Sequence, residues 1–214
     1  GRAVGQLKVN APLSFGVLHL APLWGAFLAT HPDVSLDVSL NDRVVDLVEE
    51  GFDLAVRITR LPDSSLVSRR LASTRILLCA SPQYLAVHGT PQSLADLARH
   101  QFIGYSYAPA GDLLELSGPD GPESITLKPR FRANNGDTCR AAALDHQGIV
   151  FQPTFLVHRD LAEGRLVPVL PRYQPRELGI YAVYPSRKHL SGKVRALVNF
   201  LATAFEQAPW EKPN

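Results

Sequence analysis

The run GQLKVNAPLSFG, residues 5–16, predicts a strand, a short loop and a helix start. Polar and apolar residues alternate through its first half, as in a half-buried strand. Pro12 cannot donate a ladder hydrogen bond and pushes Ala11 toward extended geometry, so the strand ends there. Ser14 is placed to cap the apolar helix that follows. The run therefore predicts a βα unit, in which Ser14 is either a cap alone or a cap that also contacts a ligand.

The next fifty residues continue this βα pattern. VSLDVSL, residues 34–40, alternates strictly and predicts a half-buried strand. NDRVVDLVEEG, residues 41–51, predicts a helix with Asn41 or Asp42 as its cap and an apolar face of Val44, Leu47 and Val48. DLAVRI, residues 53–58, predicts a buried strand. The order β-α-β-α-β with short loops favours a parallel sheet covered by helices.

The second half of the chain repeats the pattern around a hairpin. The predicted elements are a strand at 74–81, a helix at 93–100, a strand at 102–107, a hairpin at 113–135, a helix at 136–148, a strand at 149–153, a helix at 154–164, a strand at 178–185 and a last helix from about Ser191. Two βα sets joined by strands near LLCAS and IYAVY predict two lobes connected by two crossings. Such lobes can hinge around a small ligand.

The composition is that of an ordinary globular protein. Of 214 residues, 45% are hydrophobic and 20% charged, and the formal net charge is +2. Lys and Arg form no basic stripe, so we expect the chain alone to bind DNA poorly. The longest apolar run, residues 15–29, is interrupted by His19 and Pro22 and falls short of the about 18 apolar residues of a membrane span. We therefore expect no membrane partner.

The two cysteines, Cys79 and Cys139, lie far apart in the sequence. Their spacing favours reduced, buried thiols in a cytoplasmic protein over a disulfide framework, with a redox-sensing pair as the less favoured alternative. The chain contains no Met and opens without the features of a signal peptide, so we expect it to be a fragment of a longer protein.

Motifs for catalysis, metal binding and nucleotide binding are incomplete. GYSYA, residues 104–108, lacks the second glycine and the following helix of a nucleophile elbow. The seven histidines have no metal-ligand spacing, and SGKV, residues 191–194, lacks the upstream glycine and the hydroxyl of a phosphate-binding loop. We therefore expect no enzymatic activity, no metal and no cofactor.

Three predicted helix starts follow strands and carry small polar side chains. They are Ser14, the segment Asn134 to Thr138 and the segment Gln152 to Thr154. In the second, Asn135 and Gly136 form the expected turn and Asp137 or Thr138 the cap; in the third, Pro153 lies near the first helical position. Helix amides at the carboxyl ends of parallel strands are common ligand sites, so these residues are candidates for holding a carboxylate or another polar group. Each could also be a cap alone.

Four segments together carry a resemblance to a known family. They are GQLKVNAPLSFG, LAPLWGAFLATHPDVSLDVSLNDRVVDLVEEGFDLAVRI, LPDSSLVSRRLASTRILLCASPQYLAVHG and GIVFQPTFLVHRDLAEGRLVPVL. The chain from about Gly5 to about Phe205 resembles the effector-binding domain of LysR-type transcriptional regulators. The set is specific, although no single segment is decisive.

The resemblance implies an α/β fold of the periplasmic-binding-protein type, with two Rossmann-like lobes joined by two crossover strands. Regulatory lobe I would comprise residues 1–78 and 184–214, and regulatory lobe II residues 79–183. A winged helix-turn-helix and a linker helix, absent from this chain, would precede the domain, so that DNA is bound only through that missing N-terminal domain. The resemblance further implies a cytoplasmic homodimer or homotetramer that binds a small-molecule effector in the interlobe cleft, with carboxylates among the candidates.

Carried over by position, the resemblance implies a set of effector-binding residues. They are Leu13, Ser14, Phe15, Arg57, Ile58 and Thr59 in lobe I, and Tyr105, Ser106, Asn134, Asn135, Phe151, Gln152 and Pro153 in lobe II. Arg57 has two interpretations: it pairs with an anionic effector, or it holds a neighbouring carboxylate such as Asp53 or Asp63. An extracytoplasmic solute-binding protein of the same fold is the alternative function. A helix-turn-helix or a secretory signal upstream in the full gene would discriminate between the two functions.

Overall fold

The computed structural model describes residues 1–211, which divide into two compact units. Within the described residues, unit one contains Gly1–Thr74 and residues 178–211, and unit two contains Arg75–Glu177. The chain passes from one unit to the other inside two strands, Leu66–Ala80 and Arg176–Pro185.

The secondary structure alternates strands with helices through most of the chain. The strands are β1 (Gly5–Ala11), β2 (Val34–Leu40), β3 (Leu54–Thr59), β4 (Leu66–Ala80), β5 (Ile103–Tyr105), β6 (Leu113–Gly118), β7 (Gly121–Thr126), β8 (Phe131–Ala133), β9 (Val150–Pro153), β10 (Val167–Pro168) and β11 (Arg176–Pro185). The helices are α1 (Leu13–Thr30), α2 (Pro82–His88), α3 (Gly136–Leu144), α4 (Thr154–Ala162) and α5 (Gly192–Ala204), with short 3-10 helices at Leu94–Arg99 and Pro209–Glu211.

Unit one is built on the strand order β11-β3-β1-β2. β1 runs parallel to both β2 and β3, as the sequence predicted, whereas β11 is antiparallel to β3. One face of the sheet packs against α1 and α5: Leu7 and Val9 are fully buried, and the rings of Phe15 and Phe205 lie 5.5 Å apart. The predicted apolar face of the last helix is confirmed, since Val194, Leu197, Val198, Leu201 and Phe205 are all buried.

The start of α1 differs from the prediction. Pro12 occupies the N-cap position and Ser14 lies inside the first turn with 4% of its surface exposed, so Ser14 is not the cap. The carboxylate of Asp42, in the loop after β2, accepts the Leu13 amide hydrogen at 2.9 Å. It thereby satisfies one of the free amides at the helix start. The helix continues past His19 and Pro22 through a π-helical turn at Gly16–Leu20.

α1 is unusually apolar on its exposed side. Its 18 residues are long and apolar enough to cross a membrane by length and composition alone, and only 28% of them are buried. The segment contains no Asp, Glu, Lys or Arg. Six of its exposed residues form what we call the apolar helix surface: Leu13, Val17, Leu18, Ala21, Gly25 and Leu28.

The helix predicted at residues 41–51 is wrong, because this segment forms turns. Val45 and Leu47 are buried against the sheet, whereas Val44 and Val48 are 78% and 68% exposed. A contact with the sheet holds the segment: the Arg57 guanidinium of β3 donates to the Val45 carbonyl at 3.3 Å. Tertiary contacts here override the local helical pattern.

Unit two combines antiparallel pairs with a short parallel group. β9 and β10 pair with β4 in antiparallel orientation, β5 pairs with β8 in parallel, and β6 and β7 form the predicted hairpin. The core lies beneath these strands and contains Leu78, Tyr84, Leu94, Leu97, Leu114 and Ile149. Helix α2 was missed from the sequence, although the Ser81 hydroxyl caps it and Pro82 occupies its first position.

A buried carboxylate joins the two larger helices of unit two. Asp160 on α4 is fully buried and accepts hydrogen bonds from the Arg140 guanidinium of α3 at 2.6 and 2.8 Å. Arg165 adds a bond at 3.1 Å from the loop that follows α4. Burial pushes the pKa of Asp160 upward, but the two guanidinium groups outweigh it and leave that pKa below its ordinary value.

Both cysteines are free and buried, as predicted. Burial, assisted by the charge of Asp160, raises the pKa of Cys79 to about 12, so this side chain stays a thiol. The Cys139 thiol donates to the Gly104 carbonyl at 3.6 Å.

Candidate functional site

Three parallel strand segments in unit two end at the same edge. Tyr105 of β5 pairs with Ala133 of β8, and the Ser106 amide donates to the Ala133 carbonyl at 2.8 Å. On the other side of β5, the Ile103 amide donates to the carbonyl of Ile149, immediately before β9, at 2.9 Å. Because parallel strands share an orientation, the residues that follow β5 and β8 lie beside the last residues of β9.

This edge gathers most of the candidate residues of the second lobe. Ser106 and Asn134 are exposed, Tyr105 and Asn135 are half-buried, and Gln152 is 4% exposed. The position matches the carboxyl end of an open α/β sheet, where ligands usually bind.

Asn135 caps α3. Its Oδ1 accepts the backbone amide hydrogen of Thr138 at 3.0 Å and the hydroxyl hydrogen of Thr138 at 3.1 Å. The cap is therefore Asn135 itself, and the expectation of Asp137 or Thr138 as the cap is wrong. An asparagine at this position satisfies one of the free amides of the first helical turn.

Gln152 links the end of β9 to the start of α3. Its Nε2 donates to the Gly136 carbonyl at 2.9 Å. The hydrogen bond orients a nearly buried side chain toward the residue that follows Asn135, which places the Gln152 amide beside the start of α3.

Each of these two amides retains one buried atom without a hydrogen-bond partner. Among residues 1–211, neither Asn135 Nδ2 nor Gln152 Oε1 has a partner. Turning the amides around would not help, because Asn135 must accept from Thr138 and Gln152 must donate to Gly136. A buried polar atom without a partner costs about 1–3 kcal/mol, so the pair is suited to a bound polar group.

The other two candidates on β9 have structural roles: Phe151 packs against the core, and Pro153 lies at the start of α4. Phe151 alternates with Gln152, packs against the core of unit two and lies 5.9 Å below the Arg176 guanidinium. Pro153 occupies the N-cap position of α4 with extended geometry, one residue earlier than the expected first helical position.

The candidates of unit one lie at the ends of β1 and β3. Leu13 is 36% exposed, whereas Ser14 and Phe15 are buried. The Phe15 ring contacts the rings of Phe205 and Trp210 at 5.5 and 5.8 Å, which makes it part of the core. Ile58 and Thr59 are half-buried and pair with β11.

Arg57 pairs with neither of the expected carboxylates. Its guanidinium donates to Asn10 Oδ1 at 2.9 Å, to the Val56 carbonyl at 3.1 Å and to the Val45 carbonyl at 3.3 Å. Burial lowers the pKa of Arg57. Within the described residues, its partners are neutral oxygens that fix the loop after β2, and the prediction of Asp53 or Asp63 as partner is wrong.

No cluster of three or more His, Cys, Asp or Glu side chains suited to a metal ion occurs within residues 1–211.

The helix-start pattern of the sequence pointed to Asn135 and Gln152. Their unpartnered atoms had no signal in the sequence, because they depend on which carbonyl and which amide each side chain reaches.

Comparison with known proteins identifies the family. Residues 1–206 match the model of the LysR substrate binding domain. The chain is 36% identical over 197 residues to an HTH-type transcriptional regulator of Haemophilus influenzae, covering 92% of this chain and 68% of that protein. It is 36% identical over 206 residues to the HTH-type transcriptional regulator DmlR of Escherichia coli, covering 95% of this chain and 66% of DmlR.

The solved structure of the regulatory domain of CrgA, a LysR-type transcriptional regulator from Neisseria meningitidis, has the same fold. It superposes with a TM-score of 0.83 at 33% identity, covering 94% of this chain and 99% of that domain. This confirms the two-lobed α/β fold that the resemblance implied. The chain spans about two thirds of the length of its curated relatives, at 68% and 66%. The chain belongs to the LysR substrate-binding domain family of transcriptional regulators.

Proposed function

We propose that this domain binds a small-molecule effector at the Asn135–Gln152 site and transmits binding to a DNA-binding domain elsewhere in the full-length regulator. The observation that supports the proposal is the pair of buried, unpartnered amide atoms at the carboxyl edge of β5, β8 and β9. The family match favours this function over that of an extracytoplasmic solute-binding protein. In this proposal the regulator acts in the cytoplasm and releases its effector chemically unchanged.

The proposed effector-binding residues divide into two groups. Unit one would act as regulatory lobe I and unit two as regulatory lobe II. In unit two, Asn135 and Gln152 would make direct polar contacts, with Tyr105, Ser106 and Asn134 lining the same edge. In unit one, Leu13 is the most exposed candidate, whereas Ser14, Phe15 and Arg57 already serve the local structure.

An effector can switch such a domain only if it binds two arrangements of the protein with different affinity. The ratio of the two affinities sets the free energy available for switching. A typical coupling of about 1–3 kcal/mol corresponds to roughly 5–150-fold in affinity. Satisfying two buried amide atoms that are otherwise unpartnered is a contribution of this size.

We propose further that the apolar helix surface pairs with a second copy of the chain in a homodimer or homotetramer. Val17 and Leu18 are 53% and 42% exposed, and Leu28 is 38% exposed, in a segment without charged residues. An apolar surface of this kind on a globular domain marks an interaction site.

A membrane is a poor alternative partner for α1. The helix connects β1 to β2, which pair in parallel along their full length from Gly5 and Val34 to Ala11 and Leu40. Phe27 on the same helix is fully buried and contacts the Phe200 ring of α5 at 5.3 Å. A crossover helix tied to the sheet at both ends cannot leave it to span a bilayer.

A thermal-shift screen followed by a transcription assay tests the effector proposal. The screen uses small carboxylates and aromatic acids with their alcohol and amide analogues, because a ligand at 100 times its Kd stabilises the folded state by about 2.7 kcal/mol. Compounds that stabilise the domain are then given to cells that carry the full-length regulator and a reporter. We expect at least one compound to change reporter output. Stabilising compounds without any transcriptional effect, or turnover of a compound by the domain, would contradict the proposal.

A further inference from the structure

The two unpartnered atoms at the start of α3 have opposite polarity, and this determines which chemical group fits between them. Within the part of the chain that the structure describes, Asn135 Nδ2 is a hydrogen-bond donor that lacks an acceptor, and Gln152 Oε1 is an acceptor that lacks a donor. Only 4% of the surface of Gln152 is exposed, so bulk water does not reach its side-chain oxygen freely. A fitting group must therefore accept one hydrogen bond and donate another.

A carboxylate alone does not meet this requirement. An ionised carboxylate is an acceptor only, so it would satisfy Asn135 while leaving the Gln152 oxygen without a donor. It would also bring a negative charge against that oxygen, in a site with low exposure to solvent.

The charged residues of α3 itself give an anion little support. Asp137 places a carboxylate in the first turn of the helix. Arg140, the cation on the same helix, is bound to Asp160 through two hydrogen bonds at 2.6 and 2.8 Å. The positive end of the helix dipole is thus opposed by one carboxylate, and the nearest guanidinium on the helix is already paired.

We propose that the group of the effector held between Asn135 and Gln152 is a hydroxyl or a primary carboxamide, and not a carboxylate alone. Both groups accept and donate at once. The inference rests on the proposed function, since it specifies the chemistry of the same site. A carboxylate elsewhere in the effector remains compatible with it, provided that the group at this site carries a donor.

The test compares two fragments with the same carbon skeleton, propionamide and propionate, titrated into the 15N-labelled domain at matched ionic strength. The readout is the pair of side-chain amide resonances of Asn135 and Gln152 in 1H–15N spectra. We expect propionamide to shift both resonances and to bind roughly tenfold more tightly than propionate, because propionate leaves one buried acceptor unpaired.

Asn135→Ser separates recognition from folding. A serine still caps the helix, but it removes the Nδ2 donor. We expect this variant to bind propionamide roughly tenfold more weakly than the wild type does, with the fold retained in its backbone spectrum. Asn199→Ser, the same change at an exposed position of α5, is the matched control and should bind like the wild type.

Three results would overturn the inference. They are equal binding of the two fragments, tighter binding of propionate, and resonances of Asn135 and Gln152 that neither fragment moves. The last result would mean that a retained water serves both atoms. A different result would overturn the proposed function: no small molecule changes transcription from the promoter that the full-length regulator controls. The titration does not measure this.

Discussion

The side-chain Nε2 of Gln152 donates to the Gly136 carbonyl at 2.9 Å, which ties the end of β9 to the first residue of α3. The bond fixes the orientation of the Gln152 amide and thereby leaves its oxygen without a partner among residues 1–211. Asn135, one residue earlier, is fixed in the same way by capping the helix. The local structure thus orients both groups before any ligand binds, which reduces the entropy that binding would cost.

Removal of the Asn135 cap should destabilise the domain by a modest amount. We predict that Asn135→Ala lowers the free energy of unfolding by about 1 kcal/mol, since the Thr138 amide loses its acceptor. Asn135→Asp keeps an acceptor at the helix start and should stay within about 0.5 kcal/mol of the wild type. Urea unfolding followed by circular dichroism measures both. A larger loss in the aspartate variant than in the alanine variant would refute the capping role.

Gly148 allows the close approach of β9 to β5. A Cβ added at this residue would lie 2.6 Å from the backbone oxygen of Gln101, which accepts the Ile149 amide hydrogen at 2.9 Å. We predict that Gly148→Ala destabilises unit two by about 1–3 kcal/mol, as overpacking does. Gly25→Ala is the control: this exposed glycine of α1 has open space, so alanine should stabilise by about 0.5–1 kcal/mol. Thermal melts of both variants test the contrast, which similar shifts would contradict.

Asp160 should be the most costly carboxylate of unit two to neutralise. We predict that Asp160→Asn destabilises by about 2 kcal/mol, because the buried carboxylate loses its charge-assisted hydrogen bonds to Arg140 and Arg165, whose side chains are partly exposed. Glu163→Gln, which removes an exposed ion pair with Arg165, should change stability by less than about 1 kcal/mol. Urea titrations at neutral pH compare the two variants. Equal losses of unfolding free energy in the two variants would mean that the buried Asp160 stabilises the domain no more than an exposed ion pair does.

The same residue predicts a pH dependence. The pKa of Asp160 in the folded state lies below its ordinary value of 3.8, so its stabilising contribution is complete above that value and is lost as the pH falls through the folded-state pKa. The wild type should therefore lose stability more steeply than Asp160→Asn below about pH 4. Unfolding free energies measured from pH 6 down to pH 2 provide the test. Parallel curves for the two proteins would exclude the effect.

Charges on the apolar helix surface should prevent self-association. We predict that Leu18→Lys with Leu28→Lys converts the proposed homo-oligomer to a monomer, because a dimer formed through this surface would bury both cations without partners. Val48→Lys introduces a charge at another exposed valine of unit one, at 68% exposure, and should leave the mass unchanged. Sedimentation velocity over a range of concentrations distinguishes the species. An unchanged mass in the double variant would place the interface elsewhere.

The sequence predicts an element correctly where the local pattern of apolar residues agrees with their burial in the fold. The alternation of VSLDVSL predicted β2, and the spacing of Val194, Leu197, Val198 and Leu201 predicted the buried face of α5. The α5 side chains that the spacing selects are buried, and the alternating apolar side chains of β2 are buried or half-buried, as a half-buried strand requires, so no distant contact was needed to recognise either element.

The sequence prediction is wrong where a partner distant in sequence determines the local structure. Residues 41–51 have helical spacing, but Arg57 binds the Val45 carbonyl and Asp42 binds the Leu13 amide, which hold the segment as turns. For the candidate site, the helix-start pattern identified Asn135 and Gln152 as polar residues after strands. The unpartnered atoms arise from contacts with Thr138 and Gly136 whose geometry a linear pattern does not contain.

A crystal structure of the domain with a stabilising compound from the thermal-shift screen tests the central claim most directly. We predict that the compound places an acceptor about 2.7–3.2 Å from Asn135 Nδ2 and a donor at a similar distance from Gln152 Oε1. A compound bound away from both atoms would contradict the claim that these two amides recognise the effector.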